Sequence, residues 1–304
     1  AMMMCSLMAC SGDDGAQTTD EPDGTNSLDT TVVPGLSAQT LVHDGLVREF
    51  QLYVPASYDG TVSVPLVLNF HGNGGTSEGH MRTADMRDVA ESDNFIVIYP
   101  QGTLLDGSAH WNSMMGVEGN KSNTDDLGFV DALLTLMSSS YAIDSSRVYA
   151  TGYSNGGDFS YTLGCYLSDR ITGIAPVSSL MTDIALQPCS PTHPTTVMIF
   201  NGTADYVRPY EGYDGYLESV DDAAAFWVGH NNIEGAAEVT TINNNGLSVE
   251  RSHYSGGDSG TTVDVFKVIG GDHIWFDFEI EGTNSTKFIW DVLSQYDQNG
   301  LRDQ

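Results

Sequence analysis

The chain reads as an α/β protein, with a mostly parallel central sheet and helices on both faces. Three observations carry that expectation. Short β-rich runs alternate with helix-like stretches, the pattern of strand–helix–strand units. Several of the runs are almost continuously apolar, as in central strands covered on both sides. And 304 residues with 40% apolar content are enough to bury one large core.

Taken in order, the chain begins with AMMMCSLMAC (1–10). This resembles the end of a hydrophobic signal region, and LMAC resembles a bacterial lipobox with Cys10 as the lipidated residue. A polar, acidic stretch follows and is expected to act as a flexible tether over 11–38, leaving 39–304 as a single folded domain. An exported protein, held at the cell surface through Cys10 or released, is the matching expectation. No stretch approaches the ~20 apolar residues of a membrane span.

Strands are expected at 48–54, 65–70, 94–100, 147–152, 171–179, 195–202 and 262–270. The clearest helix is DLGFVDALLTLMSSSY (126–141), where Leu127, Val130, Leu133, Leu134 and Met137 recur at helical spacing and Asp125 or Asp126 can cap the first turn. Further helices are expected over 155–168, 217–231 and 284–296. The Gly- and Ser-rich stretch SGGDSGT (255–261) lies between strand-like runs at 246–254 and 261–269 and reads as a hairpin turn. It superficially resembles the nucleophile segment of chymotrypsin-like proteases, with Ser259 as the serine. That class needs a two-barrel β architecture with His and Asp ahead of the serine, which the alternation here contradicts.

Charge and cysteines narrow the function classes. Lys and Arg number 11 against 41 Asp and Glu, a formal net charge of −30. Such a surface favours solubility and repels phosphate backbones, so nucleic acid is not an expected partner. Cys5 and Cys10 lie in the leader. Cys165 and Cys189 form an isolated pair in the folded part, a disulfide candidate in an exported protein. No Cys/His spacing suits zinc, and neither metal nor cofactor is expected.

The segment VYATGYSNGGDFSYTLGC (148–165) carries the chemistry. Gly152-Tyr153-Ser154-Asn155-Gly156 matches G-x-S-x-G, in which small residues on either side let a strand turn sharply into a helix and leave the serine hydroxyl exposed. A serine needs a base, and the base a carboxylate to orient it. On this kind of scaffold the chain order is serine, acid, histidine. Asp205 follows the strand run TTVMIFNG, with Asp183 as the rival acid, and His273 follows VDVFKVIG in a Gly-rich loop. His193 and His253 are weaker candidates for the base. An oxyanion needs donors. The loop His71-Gly72-Asn73-Gly74-Gly75 can give one backbone N–H, and Asn155, next to the serine, another. His71 itself reads as a brace beneath that loop.

PLVLNFHGNGG, FIVIYPQGT, the Trp in AHWN, DDLGFVDALL, RVYATGYSNGGDFSY, FNGTADYVRPY and GGDHIW together resemble the esterase family named for polyhydroxybutyrate depolymerases, which also contains feruloyl and acetylxylan esterases. The resemblance spans roughly 41–296. It implies an α/β-hydrolase fold and serine carboxylic-ester hydrolysis. Ser154 would be nucleophile, Asp205 the orienting acid, His273 the base, and Asn73 and Asn155 the oxyanion donors. It also implies that Trp111 and Trp275 line the substrate cleft. Family members often have glycine where Asp272 stands and proline where Phe276 stands. The expected partner is a small or oligomeric ester, and the expected state a monomer. A serine peptidase on the same scaffold and a non-catalytic binding protein are the alternatives.

Overall fold

A computed structural model describes residues 33–114, 122–184, 188–244 and 246–303. The leader with Cys5 and Cys10, and the tether up to residue 32, lie outside them. The strands are β1 (Gly35–His43), β2 (Leu46–Val54), β3 (Val64–Phe70), β4 (Ile96–Pro100), the small hairpin β5 (Thr103–Leu105) and β6 (Ser108–His110), β7 (Ile143–Tyr153), β8 (Gly173–Val177), β9 (Thr196–Gly202), β10 (Glu238–Asn244), β11 (Leu247–Tyr254) and β12 (Val263–Ile269). The helices are α1 (Ser77–Thr83), α2 (Arg87–Asp93), α3 (Asp126–Ser140), α4 (Asn155–Tyr166), α5 (Val220–His230) and α6 (Ser285–Leu293).

One ten-stranded sheet runs in the order β1-β2-β4-β3-β7-β8-β9-β12-β11-β10. The block from β4 to β12 is parallel, and the flanking strands pair antiparallel. Alternate residues of the central strands point to opposite faces. Leu66, Leu68, Ile96, Ile98, Val197 and Ile199 join the core beneath α3, α4 and α5. Val67, Val97, Tyr99, Met198 and Phe200 join the second core, beneath α1, α2 and α6. This two-sided burial is why those strands read as unbroken apolar runs rather than alternating ones.

All the expected central strands and long helices are present, with ends shifted by a few residues. The departures lie where burial is slight. β1 begins at Gly35, inside the segment read as tether, and only Leu41 of the strand is buried. β10, EVTTINN, forms the opposite edge, and its exposed Thr and Val side chains carry no core signal. α1 is short and polar. It is fixed by the Thr76 hydroxyl, which accepts from the Gly79 N–H, and by burial of His80 and Met81. Cys165, near the end of α4, is disulfide-bonded to Cys189, as the isolated pair suggested.

One buried ion pair ties β2 to α3. Arg48 donates through Nη2 to Asp126 Oδ1 at 2.7 Å, and both side chains are sealed from solvent. The other Asp126 oxygen accepts the Asn112 N–H at 2.8 Å, and the guanidinium lies 3.9 Å from the Phe129 ring centroid. Removing one partner leaves the other charge uncompensated in the core. Asp126→Ala is therefore expected to cost about 3–5 kcal/mol, read as a lower urea midpoint at unchanged m-value. Two buried histidines impose a pH slope as well. Burial lowers His71 below its ordinary value and His80 to about 3. In the unfolded chain both titrate near 6.5, so there the unfolded state binds more protons. Stability contributed by these neutral side chains is present above about pH 6.5 and is lost as pH falls toward 3. His80→Gln, which keeps an amide donor for Asn69, should flatten that fall when urea unfolding is followed from pH 7 to about 4.

Candidate active site

The turn between β7 and α4 fixes the first functional group. Ser154 is held at φ 53° and ψ −124°, a left-handed-side conformation that side chains with a Cβ rarely adopt. The residues two before and two after it must be glycines. A Cβ on Gly152 would run into the Gly156 carbonyl, and one on Gly156 into the carbonyls of Phe70 and His71. The crowding brings β3, β7 and α4 into backbone contact, and Ser154 sits where they meet. Its N–H donates to the Val177 carbonyl of β8 at 2.9 Å.

Two loops from the same carboxyl-terminal edge of the sheet meet this serine. The loop after β9 and the loop after β12 are bonded to each other. Ala204 N–H donates to the Gly271 carbonyl, and Gly270 N–H to the Thr203 hydroxyl. They carry Asp205 and His273, and the three side chains form one row. His273 Nδ1–H donates to Asp205 Oδ2 at 2.7 Å, and Nε2 lies 2.8 Å from Ser154 Oγ. The carboxylate fixes the Nδ1–H tautomer, leaving Nε2 to accept the serine proton. Asp205 is itself fixed, its Oδ1 accepting the N–H groups of Val207 and Arg208, both at 2.8 Å. The rival acid Asp183 instead packs at the 210s loop, its N–H donating to the Tyr216 carbonyl. His193 is bonded to main-chain carbonyls, His253 is paired with Asp264, and Ser259 stands in the tight turn after β11.

Asn155 opens α4, so its N–H belongs to the first helical turn, where no intrahelical acceptor exists. Its side chain is committed elsewhere, with Oδ1 accepting the Trp111 N–H at 2.7 Å and Nδ2 donating to the Trp111 carbonyl at 3.0 Å. Asn73 lies in the turn closed by Gly75 N–H on the Gly72 carbonyl. A Cβ on Gly72 would lie 3.2 Å from the Ser154 Cβ, so this loop is pressed against the serine. His71 braces it from below. Nδ1–H donates to the Gly72 carbonyl at 2.7 Å, and Nε2 accepts the Gly102 N–H at 2.9 Å. Burial keeps that imidazole neutral, which the acceptor role requires.

Both tryptophans expected at the cleft are largely buried. Trp111 is 2% exposed, stacked on Phe159 with Nε1–H donating to the His71 carbonyl. Trp275 is 8% exposed and meets His80 edge-on in the second core. They pack behind the loops that carry the site. The large apolar side chains open to solvent beside the acid and the base belong to other residues. Tyr206, beside Asp205, is 78% exposed, and Ile274, beside His273, is 50% exposed. Tyr153 was legible only as the x of G-x-S-x-G. It packs its ring 5.1 Å from that of His273 and donates its hydroxyl to the His273 carbonyl at 2.7 Å. Burial pushes the Tyr153 hydroxyl up to about 12, so it stays a donor. Ser178 adds a second clasp, its hydroxyl on the Ile274 carbonyl at 2.6 Å. Asp272, where relatives of the resembled family often have glycine, accepts the His273 N–H at 2.8 Å and shapes the loop without contacting the row.

A cavity of about 470 Å³ opens at the start of β12, the opposite end of that strand from His273. Its charged lining is already paired, Arg251 with Asp264 and Glu281, and His253 with Asp264. Among the described residues no cluster of His, Cys, Asp and Glu could hold a metal ion.

No family model matches the chain. Among curated proteins it is 25% identical over 258 residues to a bifunctional acetylxylan esterase/xylanase of Neocallimastix patriciarum, covering 84% of this chain and 34% of that one. It is 26% identical to feruloyl esterase B of Piromyces equi, covering 82% and 45%. A probable feruloyl esterase C of Aspergillus niger is 26% identical, with 77% and 84% covered. The chain thus spans about a third and under a half of the first two relatives. Among solved structures, an acetyl xylan esterase from Aspergillus awamori superposes with a TM-score of 0.62 at 16% identity, over 85% of this chain and 99% of that one. A Bacillus cereus carboxylesterase gives 0.51 at 16% identity, over 81% and 93%. The chain has the α/β-hydrolase fold, and in sequence it is similar to esterases of the feruloyl and acetylxylan type.

Proposed function

We propose that the protein is a serine carboxylic-ester hydrolase working through Ser154, His273 and Asp205. The observation that carries the reading is the continuous row of hydrogen bonds from Asp205 Oδ2 through His273 to Ser154 Oγ. Ser154 Oγ attacks the ester carbonyl carbon while its proton passes to His273 Nε2. The carbonyl oxygen gains negative charge and is held by the N–H groups of Asn73 and Asn155. The C–O bond to the alcohol breaks, and the alcohol leaves with the proton from His273. Water then attacks the acyl-serine, giving its proton to His273, and the acid departs as Ser154 is restored. Asp205 stabilises the imidazolium in both halves and remains ionised.

For the substrate we propose neutral esters carrying an aryl or sugar ring, soluble or oligomeric. The exposed Tyr206 ring, next to the acid, and the exposed aliphatic side chain of Ile274, next to the base, support this, since they offer apolar surface beside the row. The Cys165–Cys189 disulfide supports export to an oxidising compartment. A lipid anchor at Cys10, an acidic tether and a monomeric catalytic domain complete the proposal.

Hydrolysis of p-nitrophenyl esters, methyl ferulate, acetylated xylan and hydroxybutyrate oligomers tests the activity, with Ser154→Ala alongside. The variant should fold, lose acyl-enzyme formation, and retain at most the residual of order 10³ over water that binding alone supplies. A folded wild type inert on every ester, or a variant as active as wild type, sinks the reading. Tyr206→Ala should raise KM for aryl esters by about tenfold, the worth of one lost stacking contact, and leave KM for short alkyl esters unchanged. Equal changes on both substrate classes would remove Tyr206 from the binding site.

A further inference from the structure

One largely buried ion pair beside the site has no part in the chemistry described above. Arg208 reaches from the Asp205 loop to Asp158 in the first turn of α4. Nε donates to both carboxylate oxygens at 3.2 and 3.1 Å, and Nη2 to Oδ2 at 2.6 Å. The Asp158 side chain is 5% exposed and that of Arg208 20%. Each partner is held from a second direction. Asp158 Oδ1 accepts the Leu180 N–H at 2.9 Å, from the loop after β8, and the Asp158 N–H donates to the Ser154 carbonyl at 2.9 Å. Arg208 Nη1 donates to the Val207 carbonyl, and the Arg208 N–H is one of the two donors on Asp205 Oδ1.

The same arginine therefore touches the acid through its backbone and the nucleophile's helix through its side chain. A forked guanidinium on a carboxylate fixes distance and orientation together, which a single point charge does not. We propose that Asp158 and Arg208 form a positioning pair that sets the separation of the Asp205 loop from the Ser154 helix, and with it the reach of His273 between them. The proposal rests on the esterase reading for its kinetic consequence only. The two side chains bond to each other and to the main chain of Leu180 and Val207. The pair acts through Asp205, whose Oδ1 donors move when Arg208 moves.

Arg208→Ala and Asp158→Asn test it, with three readouts: kcat and KM on a p-nitrophenyl ester, the thermal midpoint, and the low-field proton resonance of the His273 Nδ1–H bonded to Asp205. A displacement of about 1 Å in such a row can cost about 10²-fold, so kcat should fall by roughly that factor in Arg208→Ala while KM stays within about threefold. The low-field resonance should broaden or vanish in a protein that still melts cooperatively. Guanidinium ion added at millimolar concentration should restore part of kcat to Arg208→Ala and none to Ser154→Ala. A folded Arg208→Ala with kcat within about threefold of wild type and an unchanged resonance overturns the proposal. If Arg208→Ala does not fold, Asp158→Asn decides, since it keeps an acceptor for Leu180 and loses the charge. Wild-type kcat and resonance in that variant overturn the proposal, and loss of both supports it. Should the wild type hydrolyse no ester, the activity reading fails alone. The resonance and its fate in the variants still judge the pair, because they need no turnover.

Discussion

The molecule is organised around a place where three stretches of backbone come closer than side chains would permit. Gly152 and Gly156 let the end of β3, the end of β7 and the start of α4 share one point, and Ser154 is forced into a positive φ there. Such a conformation is unfavourable for any residue with a Cβ and persists only where its surroundings leave no alternative. Those surroundings are the two hydrophobic layers. With β3, β7 and β8 buried on both faces, none of the strands meeting at the elbow can shift to relieve it.

From that fixed point the site is built by buried polar side chains acting on main chain. His71 holds the Gly72 loop and the Gly102 turn, Trp111 holds the His71 carbonyl, and Asn155 holds both main-chain groups of Trp111. Tyr153 and Ser178 clasp successive carbonyls of the histidine loop. Loops are ordinarily the mobile parts of such a scaffold. Here the Gly72 loop and the histidine loop are each held at a strand end by a buried side chain, His71 in one case and Ser178 in the other.

The parts of this arrangement visible in the sequence were those that follow from local rules. The apolar runs of the parallel strands, the helical repeat of α3 and the G-x-S-x-G turn each express a period or a steric demand confined to a few neighbours. The order of Ser154, Asp205 and His273 along the chain, each after a strand, follows from where strands of one sheet end. What could not be read were facts of three-dimensional company. Trp111 and Trp275 stand beside functional loops in sequence, but their rings turn into the two cores, and adjacency in the chain does not say which way a ring points. The Arg208–Asp158 pair joins residues 50 apart and has no motif. β1 and β10 bury too little to leave a hydrophobic signature, so the edges of the sheet were the least legible elements.

The disulfide has a bearing on how this chain reaches its fold. Cys165 and Cys189 are 24 residues apart, and the ring they close holds β8 and the loop whose Leu180 N–H meets Asp158. In the chain-entropy view, closing such a ring removes on the order of 3 kcal/mol of freedom from the unfolded ensemble. An oxidised chain thus starts its search with the far end of the nucleophile helix already tethered to the approach of β9. A reduced chain must bring them together through non-local contacts alone, the slow step in building a parallel sheet. The redox history of the polypeptide is in this sense part of the folding information, supplied by the compartment and not by the side chains that later do the chemistry.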